Sequence, residues 1–303
     1  MRFKDELELL GLSLQHELFR NVTFLEFGAK WEKAYYLTGN CIRKHLKRQE
    51  ETGSASGKYQ LVAEIIKNYL LCLRYGSQFF YQTLPFVFEK WFEWAVVVID
   101  NDEKLRTFGQ DSQSQSRSNS IKQGKEIKDS FLSTTENLIK RVADTLPAYQ
   151  LLAVFPQLIS RICHSNDLVF KTLTQIIVHV MNEFPQQTLW QMMQVSNSSS
   201  QRRRQRYEEI TTVFKKSTTT ENWTLLKAFS SLSDQLIKIC QHKMEQGTGN
   251  ILRLNESFRP LEKMMKMATF PKIILPFQDS LYPMLPNDTA MQVSCLCWIC
   301  RVC

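Results

Sequence analysis

Four cysteines crowd the carboxyl-terminal residues, Cys295, Cys297, Cys300 and Cys303, and four thiolates are a donor set that could hold a tetrahedral zinc ion. Structural zinc sites draw their ligands from two knuckles separated by a loop. This C-x-C-x-x-C-x-x-C run leaves little chain to surround an ion, so the four are weak metal candidates and the expectation is a tail unrelated to the fold. Cys163 and His164 are a nucleophile and a base by type. Neighbours on a helix point about 100° apart, however, so the pair reads as structural. The remaining chemistry is charge. The chain carries a net +8, and much of the excess sits at Arg43–Arg48 and at Arg202, Arg203, Arg204 and Arg206. Each run is either a solvated helix face or a contact patch for acidic protein or nucleic acid.

Patterns that would perform catalysis are missing from the sequence. There is no GxxxxGK[ST] phosphate loop, no HExxH, no GxSxG, no HRD-type catalytic loop and no DFG triplet. Phosphoryl transfer needs an aspartate to hold magnesium and a residue to orient the hydroxyl, and no motif here supplies either. The expectation is therefore that this chain has no catalytic or cofactor-binding residues and takes no cofactor. The start, MRFKDELELL, is charged and does not read as a secretory signal. No apolar run approaches the roughly 20 residues that span a bilayer. An intracellular location and reduced thiols are expected.

The elements that would position any site read as helices. Among 303 residues only 10 are Gly and 9 are Pro, with 43% hydrophobic. Leu, Phe, Lys, Glu and Gln are abundant, which favours helix over strand. Helical spacing of apolar residues predicts helices over Lys4–Phe19, Ala29–Leu46, from Tyr59 through Leu73, and on through Phe79–Ala95, where Pro85 is expected to kink or start a helix. The stretch Gly109–Gln123 has one apolar residue and predicts a disordered Ser/Gln-rich loop. Helix resumes over Lys125–Val142. After Pro147, Leu151, Leu152, Phe155, Leu158, Ile159 and Ile162 form one stripe. Asn166–Asp167 should cap the next helix, whose stripe ends at Val180 and Phe184. Pro185 opens another with Leu189, Trp190, Met193 and Val195. Helices over Arg202–Lys216, Trp223–Met244 and Phe258–Met267 complete the pattern. Such helices with short polar connections stack as antiparallel hairpins into an all-α solenoid, a degenerate TPR/HEAT-like array.

Three stretches carry a family resemblance: LRYGSQFFYQTLPFVFEKWFEW (Leu73–Trp94), QLISRICHS (Gln157–Ser165) with FPQQTLW (Phe184–Trp190), and ATFPKIILPFQDSLYPMLP (Ala268–Pro286). They resemble the FAT region of the ATR-type kinases among the phosphoinositide-kinase-related protein kinases. The similarity runs from about Trp31 to Pro286, and the last stretch resembles the segment leading into the kinase amino lobe. The resemblance implies a division into helical repeats over 1–108, the loop over 109–123, further FAT-like repeats over 124–286 and a non-family Cys-rich tail over 287–303. It implies a regulatory and structural segment of a nuclear DNA-damage and replication-stress serine/threonine kinase. Its partners would be the kinase domain that it clamps and a dimer mate. That kinase domain, which uses ATP and a divalent metal, is missing here, so the chain itself is expected not to be an enzyme. Leu158, Ile159, Ile162, Phe184, Leu189 and Trp190 would mark the family by packing between helices. Direct nucleic-acid binding and membrane contact are not expected. The alternative is a free-standing helical-repeat adaptor that binds acidic protein or nucleic acid through the basic clusters.

Overall fold

A computed structural model of the chain describes residues 32–52, 58–107, 115–144, 146–242 and 258–275. All regular structure among these residues is helical. The helices are α1 (Glu32–Thr52), α2 (Lys58–Tyr75), α3 (Phe80–Thr107), α4 (Gln115–Asp144), α5 (Ala148–Ala153), α6 (Phe155–Ser160), α7 (Asp167–Glu183), α8 (Pro185–Ser196), α9 (Gln201–Ser217), α10 (Thr220–Cys240) and α11 (Arg259–Lys266). The fold is all-α and of α-solenoid type. The chain divides into two compact units, 1–177 and 178–303.

In the first unit the pairing of α1 with α2 is read from three contacts along their length. Tyr35 stacks on Tyr75, Tyr69 donates its hydroxyl to Asn40 Oδ1 at 2.7 Å, and Lys58 pairs with Glu50 at 2.7 Å. As numbers rise on one helix they fall on the other, so the pair is antiparallel. Helix α3 returns along α2, with Tyr69 edge-on to Phe86 and Tyr59 stacked on Trp94. Helix α4 then packs on α3, where Trp91 and Trp94 both meet the Phe131 ring. The hairpin closes most tightly at Gly39. A Cβ built there would lie 2.4 Å from the Tyr69 ring, so only glycine lets α1 and α2 approach this closely.

The described residues depart from the expected pattern at several points. The loop over 109–123 is helical in its second part, because α4 begins at Gln115; residues 108–114 lie outside the described ones. Once the amphipathic turns beyond Lys125 form, each further residue adds a hydrogen bond at small cost, and Ser, Gln, Arg and Lys do not stop that extension. Helices α3 and α4, on either side of this segment, share the Trp91–Phe131 core. Of the two expectations for Pro85, a helix start is not met: it lies within α3, whose first bonds are Gln82 and Thr83 N–H to the Phe79 carbonyl. Finally, the stripe after Pro147 is two short helices, α5 and α6, because Pro156 supplies no N–H to continue the first. The expected helix over Lys4–Phe19 and the tail over 287–303 lie outside the described residues.

Burial also sorts the described thiols. Cys72 is fully buried, and desolvation, then the charge of Glu32, pushes its pKa up to about 12. Cys240 is exposed. Since the thiolate is the reactive form, iodoacetamide at neutral pH is expected to alkylate Cys240 in the native chain and to reach Cys72 only after unfolding. Peptide mass spectrometry checks this, and rapid native labelling of Cys72 would refute the packing of α2.

Candidate functional site

In the second unit, α8 is the element that brings distant chain together. Phe184 is its N-cap and Pro185 and Gln186 form its first turn, where Pro needs no donor. Leu189, Met192, Met193 and Val195 are buried, which fixes the rotation of α8. The opposite edge presents Gln186 and Trp190, one turn apart.

These two side chains grip the extended segment that follows α11. Gln186 Nε2 donates to the Lys272 carbonyl at 2.8 Å, and Ile274 N–H donates to Gln186 Oε1 at 3.0 Å. One primary amide thus pairs with a backbone donor and acceptor two residues apart, as a neighbouring strand would. Trp190 Nε1 adds a bond to the Ile274 carbonyl at 2.7 Å. Beneath lies an apolar cluster of Leu232, Phe258 and Leu261, against which Trp190, Ile239, Met264, Phe270 and Ile273 pack. The Trp190 ring meets Phe229 edge-on, centroids 5.0 Å apart, a favoured aromatic geometry. Trp190 and Gln186 thus tie α8 to the segment 268–275, over an apolar cluster that α10 and α11 share.

The family-motif residues separate into two groups. Leu158, Ile159, Ile162 and Leu189 are buried, whereas Phe184 and Trp190 are half-buried. Trp190 does not simply extend the stripe of Val180 and Phe184 across the Pro185 break. It turns toward α10 and the exit segment, and its indole N–H has a specific acceptor. Replacing Trp190 with Phe is expected to keep most of the packing and cost about 1 kcal/mol for the lost hydrogen bond. Trp190→Ala is expected to cost about 2–3 kcal/mol, below the range for a fully buried tryptophan. Urea unfolding of the two variants checks both values. Gln186 was not singled out by sequence, because one Gln among many carries no periodic signal.

The other candidates fall into structural roles. His164 Nδ1 accepts from Asn166 N–H at 3.0 Å, and Asn166 Oδ1 in turn accepts from Leu168 and Val169 N–H. His164 therefore shapes the capped start of α7. In the basic run of α9, Arg204 donates to the Ser198 and Ser199 carbonyls at 2.5 and 3.0 Å, and Arg206 pairs with Glu209 at 3.0 Å. Arg202 is exposed and Arg203 half-buried. The inward face of α9 is Tyr207, Ile210 and Phe214, and burial, then Asp234, pushes the Tyr207 pKa up to about 12. No group of three or more His, Cys, Asp or Glu able to hold a metal occurs among the described residues; Cys295, Cys297, Cys300 and Cys303 lie outside them. No described helix is long and apolar enough to cross a membrane.

Fold and site together define a helical-repeat scaffold whose most specific polar contacts hold its own chain. Residues 134–233 match the family model for HEAT repeats of ATR-like serine/threonine-protein kinases. Among relatives, the chain is 31% identical over 293 residues to the serine/threonine-protein kinase ATR of Oryza sativa subsp. indica, covering 86% of this chain and 10% of that protein. It is 31% identical over 220 residues to that of Arabidopsis thaliana, covering 72% and 7%. It is 27% identical over 231 residues to protein kinase rad3 of Schizosaccharomyces pombe, covering 73% and 9%. These findings place the chain with the helical-repeat segments of ATR-type kinases. The chain spans about 10% of the length of the rice relative it matches, and the matched region is helical repeat.

Proposed function

We propose that this chain acts as the regulatory FAT-like scaffold of an ATR-type checkpoint serine/threonine kinase, holding and orienting the catalytic domain rather than performing catalysis. The observation that carries this reading is the grip of Gln186 and Trp190 on Lys272 and Ile274. The gripped segment belongs to the stretch that resembles the family's lead into the kinase amino lobe. A helical array that binds this lead by paired backbone bonds transmits a shift of α8 or α10 directly to whatever follows. On this reading the partners are the kinase domain and a dimer mate, the setting is nuclear replication stress and DNA damage, and ATP with a divalent metal belongs to the kinase domain.

The test is made in a full-length ATR-type kinase bearing this segment. The pair Gln186→Ala and Trp190→Phe is expected to change the ratio of activated to basal peptide phosphorylation while the protein remains assembled. An unchanged ratio, with the segment verified as released, would refute the regulatory role. The isolated chain is expected to transfer no phosphate to a Ser-Gln peptide with magnesium and ATP, because its sequence contains no phosphoryl-transfer motif. Phosphorylation by the purified chain would overturn that.

The adaptor reading, in which the Arg202–Arg206 run binds nucleic acid, is weakened by the engagement of Arg204 and Arg206 within α9 and its preceding loop.

A further inference from the structure

A groove of 680 Å³ opens between α1 and α3, with Leu37, Asn40, Arg43, Lys44, Lys47 and Phe86 among its lining. It lies in the first unit, and the grip on the exit segment does not use it. Its floor is apolar: Phe86 and Leu46 are buried and Leu37 half-buried. Along one wall stand three cations of α1, Arg43 and Lys44 side by side and Lys47 about one turn further on. The Arg43 guanidinium carbon lies 4.1 Å from the Phe86 centroid, so the ring holds the planar fork at the edge of the floor. Lys44 and Lys47 are exposed, and Lys47 lies 3.9 Å from the exposed Glu51 carboxylate on its own helix. Asn40 uses its Oδ1 to accept from Tyr69, which leaves its amide NH2 as a donor.

The acidic residues of the groove are differently placed. Glu50 is committed to Lys58 at 2.7 Å, a hydrogen bond that lowers its pKa. Glu89 stands exposed on the α3 side. A continuous phosphate backbone needs a uniformly positive track, and Glu50 and Glu89 interrupt one. A short peptide can set its carboxylates against the α1 cations and away from Glu89, which a continuous phosphate backbone cannot.

We propose that the α1–α3 groove binds an acidic peptide segment of a protein partner, with carboxylates on Arg43, Lys44 and Lys47 and an intervening apolar side chain on the Leu37–Phe86 floor. The selection comes from charge complementarity on one wall and apolar burial beneath it. The site stands apart from the proposed regulatory role, so either can fail without the other.

The experiment titrates the full chain into a fluorescein-labelled Asp-Asp-Phe-Asp-Asp-Leu peptide and follows anisotropy. A peptide with lysine in place of each aspartate and a single-stranded oligodeoxythymidine serve as comparisons. The acidic peptide is expected to bind and to weaken as salt is added. The exposed pair Lys44→Glu and Lys47→Glu is expected to weaken it about tenfold or more, with the melting temperature unchanged. Arg202→Glu with Arg203→Glu is expected to leave it as in the wild type. Failure of the acidic peptide to bind, equal binding of the lysine peptide, or indifference to the Lys44 and Lys47 reversal would overturn the proposal. Displacement of the peptide by oligodeoxythymidine, with the same loss in the double variant, would assign the groove to nucleic acid and overturn it equally.

Discussion

Replacing Trp91 with alanine is expected to lower the unfolding free energy of the first unit by about 3–5 kcal/mol, the range for emptying a fully buried aromatic site. Trp91 is 0% exposed. Its ring stacks on Phe131 at 6.4 Å and lies 5.2 Å from Phe92, and its indole N–H donates to Thr135 Oγ1 at 3.0 Å. The Thr135 hydroxyl keeps its own acceptor, the Phe131 carbonyl at 2.8 Å. The loss is therefore mainly cavity and dispersion, not an orphaned donor. Trp91→Phe should retain much of the ring contact and cost clearly less. Since domains of this kind are stable by about 5–15 kcal/mol, the alanine variant should unfold at far lower urea. Coincident midpoints for wild type and Trp91→Ala would show that α3 and α4 are not packed on one another.

The second large effect is expected at Gly39. A valine there is expected to cost about 3 kcal/mol, the upper part of the range for overpacking a core. The clash is with Tyr69 Cε1 and Cδ1, at 2.4 and 2.6 Å from the added Cβ. That ring cannot withdraw easily: it is 1% exposed, tied through its hydroxyl to Asn40, and packed edge-on to Phe86. Gly39→Ala should cost less, because alanine regains about 1 kcal/mol of helix propensity. Gly76 provides the contrast. The nearest atoms to a Cβ there are those of the Glu32 carboxylate, at 1.8 Å, the flexible end of a long side chain. Thermal melts of the Gly39 variants check the close approach of α1 and α2, and a Gly39→Val chain as stable as wild type would contradict it.

Helix type and order were legible because apolar spacing at 3.6-residue period is set by burial, and most of these helices bury one stripe. The stripe of α7, with Leu173, Ile176, Ile177 and Val180 buried, and the Asn166 cap were read from residues alone. Pro185 was read in its right place because a first-turn proline loses nothing. Pro85 was read as kinking or starting a helix, and it starts none; Pro156 was not weighed, although it stands where one helix gives way to the next. A proline removes one backbone bond wherever it stands, and only tertiary packing decides whether the helix runs on, as α3 does, or breaks, as between α5 and α6. The start of α4 at Gln115 was hidden because a polar sequence of moderate propensity becomes helical through the helix it extends.

The site was legible only in part. FPQQTLW marked the family, and Leu189 carried the burial signal, but Gln186 and Trp190 act on residues more than eighty positions away. Their partners are the Lys272 and Ile274 backbone groups, whose identity no side-chain pattern encodes. The α1–α3 groove was visible as a basic run at Arg43–Arg48, yet the floor that makes it a site comes from Phe86 on another helix.

Amide hydrogen exchange in the peptide spanning 270–275 tests most directly whether this array holds the exit segment. With Gln186 and Trp190 gripping it, the Ile274 amide is expected to exchange well below the free-chain rate. Gln186→Ala with Trp190→Phe should raise that rate toward the free-chain value while peptides around Trp91 exchange as before. Free-chain exchange at Ile274 in the wild type, or protection that survives the double substitution, would contradict the account.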